Sequence, residues 1–371
     1  MNQELDLRTP TSTKTSWQEI VARYQKPDAR RAWGQIVNSF LPYFALWALM
    51  VWSLQVSYWI TVPLAVIAAG FLTRIFIIFH DCGHGSFFRS PLANNVCGFV
   101  CGVLTFTPYY RWRWEHARHH ATSGDLDRRG IGDIWTLTVQ EYLAASRWKR
   151  CAYRLARNPV LLFAIAPIYL FLISHRISPP KAEWRARFSV WWMNLAILAM
   201  AAAMSLAFGI VPYVLIQMTI LGVAGAAGVW LFYMQHQFED VYWERGEDWD
   251  YTAAALQGSS FYKLPRGLQW FSGNIGFHHI HHLSPRIPNY NLERCHESDP
   301  IFQGVKPMTL RSSMKSLWLF LWDESSRKMV GWRELRRAAS RMRVGGIGRA
   351  LAAQAPAEPA PIGQSARNLA T

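Results

Sequence analysis

The chain has 371 residues, 51% of them hydrophobic and only 17% charged, yet it carries a formal charge of +15 and nineteen tryptophans. Soluble domains average nearer a quarter charged residues, so this composition argues against two ordinary soluble domains and for a membrane domain. The positive balance suits anionic lipid or an acidic protein partner; with so apolar a chain, nucleic acid is not an expected partner.

Residues 1–31 carry charges throughout and no apolar core segment, so no cleaved signal peptide is expected and the N-terminal segment is placed in the cytosol. Residues 32–73 contain no Asp, Glu, Lys or Arg, room for two spans across a ~30 Å hydrocarbon layer. They are placed at about 36–56 and 59–79, turning near Ser57–Tyr58. A second charge-free run, 188–238, predicts spans at about 189–209 and 212–235. Two shorter apolar stretches, 91–110 and 158–174, are marginal for crossing and are predicted to be interfacial or re-entrant helices. A crossing by 158–174 alone would also put the basic stretch HRISPPKAEWRAR on the outer side, against the positive-inside rule. The rest, 111–157 and 236–340, is polar-aromatic and basic and is predicted to cap the spans. The membrane domain is thus 32–340, and the Ala/Gly/Pro-rich tail 341–371 is expected to be disordered. Five cysteines without a C-x-x-C pair predict neither a disulfide framework nor a zinc knuckle.

Histidine is concentrated at the predicted ends of the spans. HDCGH supplies His80 and His84, HARHH supplies His116, His119 and His120, and HHIHH repeats that frame with His278, His281 and His282. A ninth, His236, ends the fourth span. Spacings of three and four bring rings to one helical face, so each group can converge. The shared frame argues that the nine work together, which requires all of them on one side of the bilayer. Imidazole suits Zn, Cu, Fe or Ni. Nine donors exceed one metal's needs and fit two. His175, His279 and His296 fall outside the frame. Asp81, Asp125 and Glu239 are candidates for carboxylates that hold the far ring nitrogens. Haem ligands would sit mid-span, and a metal transporter would need a polar path through the membrane; neither pattern is present.

At these motifs the sequence resembles the membrane-bound fatty acid desaturases over roughly residues 70–330, and is most like bacterial acyl-lipid desaturases. The stretches HHATSGDLDRRGIGDIWTLTVQEY and QGSSFYKLPRGLQWFSGNIGFHHIHHLSPRIPNYNLERCH share that likeness. The resemblance implies an all-α integral membrane protein of four transmembrane helices in two hairpins, with a cytosolic helical cap holding a di-iron site. It implies two iron ions on the nine histidines, with Asn274 reaching one through water. It also implies O2 as co-substrate, a fatty acyl lipid as substrate and a ferredoxin-type electron donor, in a bacterial inner membrane with both termini and the metal site cytoplasmic. No HPGG motif of a fused cytochrome b5 domain occurs, which suits a separate donor. The competing readings are a histidine-box hydroxylase of alkanes or carotenoids, and a non-enzymatic histidine-rich metal-binding protein.

Overall fold

The computed structural model describes residues 16–337. The first fifteen residues of the N-terminal segment, positions 338–340 and the tail expected to be disordered lie outside the described residues. The described chain is dominated by helix, with two small sheets.

Helix α1 (Trp17–Ala22) opens on a Ser16 cap and leads to α2 (Ala29–Ser53), capped by the Asp28 carboxylate on Arg30 N and Arg31 N. After a four-residue turn, α3 (Tyr58–His84) starts on Ser57. The turn is pinned by Ser53 Oγ against Thr61 Oγ1 at 2.8 Å. At about 1.5 Å per residue, exposed Trp33 and Trp52 lie about 29 Å apart along α2, close to the ~30 Å hydrocarbon thickness. Helix α3 is longer than that layer needs, and its surplus carries His80 and His84 beyond it. Gly85, in the left-handed region at φ 68°, stops the helix directly after His84. Arg74, six residues before His80, is buried; its guanidinium donates to the Trp270 carbonyl and lies 4.0 Å from the Trp270 ring.

Helix α4 (Pro91–Leu104) ends well short of residue 110; four residues later α5 (Tyr109–Thr122) begins. The break follows from close packing. Gly98 faces the Tyr109 ring so tightly that a Cβ would sit 2.2 Å from it, and the Tyr109 hydroxyl donates to the Cys82 carbonyl at 2.7 Å. Strand β1 (Leu137–Thr138) precedes α6 (Val139–Ala144) and α7 (Arg147–Ala156). The next apolar stretch is bent by 64° relative to α7. It runs through a π-turn, Leu161–Ile165, into α8 (Ala166–Leu172).

Helices α9 (Trp184–Phe208) and α10 (Ile210–His236) form the second hairpin around Gly209. The cap follows: α11 (Tyr251–Gln257), β2 (Phe261–Lys263), α12 (Arg266–Phe271), α13 (His278–Leu283), α14 (Asn289–Glu297), β3 (Pro307–Thr309), β4 (Leu321–Asp323) and β5 (Lys328–Val330). Strands order as β1-β4-β5 and β2-β3. The short strands tie cap segments distant in sequence; β1, for instance, pairs parallel to β4.

Four helices, α2, α3, α9 and α10, are long and apolar enough to cross a membrane, or five if the bent α7–α8 stretch counts as one. The meeting of the histidines decides the count. The α3 end meets rings from α5, so α4 between them makes no net crossing. The α10 end meets α5 as well, so 123–183 makes none either.

Gly98→Ala should destabilise the protein by about 1–3 kcal/mol through overpacking. Gly34→Ala, where a Cβ meets nothing within 4 Å in a helix interior, should be neutral or stabilising. Thermal unfolding in detergent checks the pair; equal melting temperatures would contradict the α4–α5 packing.

Candidate metal centre

The nine imidazoles form two adjoining sets. His80, His84, His116, His120 and His281 make one, and His119, His236, His278 and His282 the other. Within each set one ligand atom per residue lies within 4.8 Å of every other. The helical repeat explains the sorting. Residues four apart share a face, so 80/84 and 116/120 enter the first set and 278/282 the second. The residue three along diverges: His119 leaves its box for the second set, and His281 leaves its box for the first. The dipeptides His119-His120 and His281-His282 thus each serve both sets, and the sequence expectation that a box converges as a unit is corrected. The sets touch where the His120 and His282 rings stack at 4.2 Å.

Imidazole nitrogens face one another in fans. His120 Nε2 lies 3.1 Å from His116 Nε2 and 2.9 Å from His281 Nε2; His236 Nε2 lies 3.1 Å from His119 Nε2 and 2.9 Å from His278 Nε2. One N–H can serve one contact, but three mutually facing nitrogens leave lone pairs opposed unless a cation lies among them. His84 Nε2 and His282 Nε2 are buried with no hydrogen-bond partner. Burial first, and neighbouring imidazoles second, hold His116, His120, His278, His281 and His282 well below the ordinary histidine pKa. They are therefore neutral donors at pH 7. Borderline nitrogen donors in two adjacent clusters fit a pair of transition-metal ions such as iron.

Acceptor-only groups fix three tautomers. His80 Nδ1 donates to Asp81 Oδ1 at 3.1 Å, His119 Nδ1 to Asp133 Oδ1 at 2.6 Å, and His236 Nδ1 to the Gly258 carbonyl at 3.2 Å. Each leaves its Nε2 lone pair pointing into its set. Asp81 is itself clamped, its Oδ2 accepting from Asn289 N at 2.6 Å and Asn289 Nδ2 at 2.8 Å.

Of the three carboxylates singled out from sequence, only Asp81 touches a box histidine. Asp125 is corrected to a loop anchor: it accepts from Asp127 N and Arg128 N and pairs with the Arg128 guanidinium. Glu239 is corrected to a surface group, its exposed carboxylate 4.0 Å from Lys328 Nζ. Asp133 takes the role instead. It was missed because it lies thirteen residues past box two in a loop with no motif; the one available signal is its glycine bracket, Gly130-Ile131-Gly132. Gly132, at φ 75°, lets the loop press on α5, where a Cβ would come 3.1 Å from His119 Cβ. Asn289 was missed too, since an asparagine at a helix start reads as an ordinary cap.

Asn274 stands in the left-handed region at φ 59°, directly after Gly273 at φ 52°. Its Oδ1 accepts from Gln269 Nε2 at 3.3 Å, and its Nδ2 donates to the Asn289 carbonyl at 3.4 Å. That places it beside the Asn289–Asp81–His80 string. Trp112 stacks on His116 at 4.3 Å, while Phe232 lies 5.2 Å from His119 and 5.3 Å from His236. His279 and His296 pair with each other at 3.1 Å outside both sets.

The fatty acid desaturase family profile matches residues 57–307. A fatty acid desaturase of Bacillus subtilis (strain 168) is 52% identical over 316 residues, 85% of this chain and 90% of that protein. An sn-1 oleoyl-lipid 12-desaturase of Anabaena variabilis is 27% identical over 284 residues, covering 72% and 76% of the two chains. An acyl-lipid omega-3 desaturase (cytochrome b5) of Arabidopsis thaliana is 28% identical over 274 residues, covering 67% and 66%. The matched region takes in all nine clustered histidines and three of the four long helices, and the likeness to the Bacillus protein runs nearly end to end: this chain belongs to the fatty acid desaturase family and is an oxidoreductase of the membrane.

Proposed function

We propose that this desaturase introduces a cis double bond into an acyl chain carried by a membrane lipid, with two iron ions in the histidine sets, O2 as co-substrate and a ferredoxin-type protein as electron donor. The observation that carries the reading is the pair of adjoining imidazole sets, nine rings at one end of the bundle, seven of them buried and two half-buried. Bound there, an iron pair supplies O2 activation and the oxidising power to break two unactivated C–H bonds. The stoichiometry closes with one O2, two electrons and two protons in, and two waters out.

The chain's own residues do the rest. Asp81, Asp133 and the Gly258 carbonyl hold the rings in one tautomer. Trp112 and Phe232 put apolar faces against the two sets and keep water from them. The relatives' printed names support a lipid-borne acyl substrate. Cytoplasmic placement in a bacterial inner membrane is supported by charge. The exposed cations Lys181, Arg185 and Arg187 flank the histidine end of α9, whereas the turns at 54–57 and 209–212 carry no charge.

Expression in a host that makes no unsaturated products, followed by mass spectrometry of derivatised fatty esters, tests the reaction. Products should be lighter by two hydrogens; a retained oxygen would show hydroxylation instead. His80→Ala and His281→Ala should abolish the product while the protein still inserts. Purified protein should hold two irons per chain by elemental analysis. Asp133→Asn should weaken metal retention against a chelator by about 10–100-fold, whereas Asp125→Asn should leave it unchanged. Asn274→Gly keeps the left-handed backbone and removes the amide. It should lower iron retention without lowering the melting temperature, and unaltered retention would remove Asn274 from the centre.

A further inference from the structure

We propose that an acidic iron–sulfur electron carrier docks in the groove between the 129–137 loop, α6 and α7, and that its electrons enter through Gly130, Asp133 and His119. The proposal rests on the ferredoxin-type donor argued above and names the surface it uses.

The groove is a cavity of about 510 Å³, walled by Arg129, Gly130, Trp135, Glu141 and Lys149 among others. Its floor is thin. Ile134 borders both this groove and a small cavity of about 10 Å³ beside His119 and His236. A continuous hydrogen-bonded string crosses that floor. Gly130 N, at the groove wall, donates to Asp133 Oδ2 at 3.1 Å, and Asp133 Oδ1 accepts from His119 Nδ1 at 2.6 Å. Electron tunnelling falls steeply with distance and is favoured along bonded paths. A carrier seated here is separated from a ligand ring by one loop.

Charge identifies the occupant. Helix α7 begins Arg147-Trp148-Lys149-Arg150, with Arg147 and Lys149 exposed and no acid in the helix. Three cations in a first turn oppose the helix dipole, where carboxylates would be stabilising. None of the three forms an ion pair among the described residues. The groove's own acid, Glu141, is occupied by Arg129 and by Thr138 N. A local rule broken without a partner inside the protein marks a site that meets one outside it. An acidic protein supplies that partner, and its approach is steered by the same field. Transient redox encounters bury under about 1,200 Å², so one groove and one helix face suffice. Each turnover then takes two one-electron deliveries from two reduced carriers, which leave oxidised.

The test uses the iron-loaded protein in nanodiscs, with a plant-type [2Fe–2S] ferredoxin as probe and binding read by interferometry at low salt. Arg147→Glu/Lys149→Glu/Arg150→Glu should raise Kd at least about tenfold and flatten its salt dependence. The corresponding glutamine triple should show a smaller rise, and it provides the readout should the glutamate triple not fold. Reversal of Lys306, Arg311 and Lys315 on other cap elements should shift Kd less than about twofold. Equal shifts for the two sets, or an unmoved Kd on α7 reversal with ferredoxin still supporting turnover, overturn the docking surface alone. A reversal that changes partition onto anionic vesicles and leaves ferredoxin affinity untouched assigns α7 to lipid and likewise overturns it. Ferredoxin that neither binds nor supports turnover in the unmodified protein overturns the donor reading and the docking surface together.

Discussion

Opposed lone pairs are the constraint on which the rest of the structure depends. Nine imidazoles, seven of them buried and His84 and His116 half-buried, are gathered in two sets, and six of them aim nitrogens at one another at distances near 3 Å. Without a cation such an arrangement is repulsive and desolvated at once, since each buried polar nitrogen lacking a partner costs free energy. Folding tolerates it because the surrounding helices leave the rings nowhere else to go. The end of α3 is stopped at Gly85 and α5 is fixed by Tyr109 against α4. The six residues of α13 are all buried, with Ile280 and Leu283 packed on the side away from the sets. The same requirement fixes the topology, because rings delivered by four separate helices meet only if every connection between them returns to one face.

Around the rings lies a layer that converts loose helix ends into a defined pocket. The string Asn289–Asp81–His80 links the start of α14 to the end of α3. The N-terminal segment braces the far side: Gln25 donates to Ser284, Asp28 N to the Tyr290 hydroxyl, and Arg31 to Asn291. Helix α1 thus packs against the element that carries the third histidine group, with Ile20 and Val21 in the same apolar cluster as Ile280 and Leu283. An i,i+4 pair can be written locally in a sequence, but its orientation is held by residues some two hundred positions away.

That difference in range accounts for what the sequence disclosed. The long charge-free runs and the histidine spacings are local signals with a fixed physical meaning, so the spans and the ligand candidates could be read directly. The splitting of His119-His120 and of His281-His282 depends on which neighbour faces each helix side, which spacing alone does not settle. Asp133 and Asn289 act through contacts 14 and 208 positions away in sequence, without any motif of their own. Asp125 and Glu239 were chosen for closeness in sequence, yet Asp125 turns into its own loop and Glu239 toward Lys328. Closeness along a chain that leaves its helix says little about where a carboxylate points. The break at 105–108 was equally hidden, because a glycine packed on a tyrosine ring reads as an ordinary small residue in an apolar stretch.

The two sets differ in what surrounds them. The first set is backed by Trp112, which packs on Phe76 and Phe79 of α3, an apolar aromatic wall continuous with the spans. The second set is reached from the polar side, through the short loop that carries Asp133 and through the Gly258 carbonyl. The small cavity on the loop side is lined by polar Ser123, Asp133 and Gln237 together with apolar Ile134, Phe232, Val241 and Trp243. An uncompensated charge on the aromatic side would forfeit its hydration. On the docking surface proposed above, electrons arrive at the second set, and the stacked rings of His120 and His282 are where it meets the first.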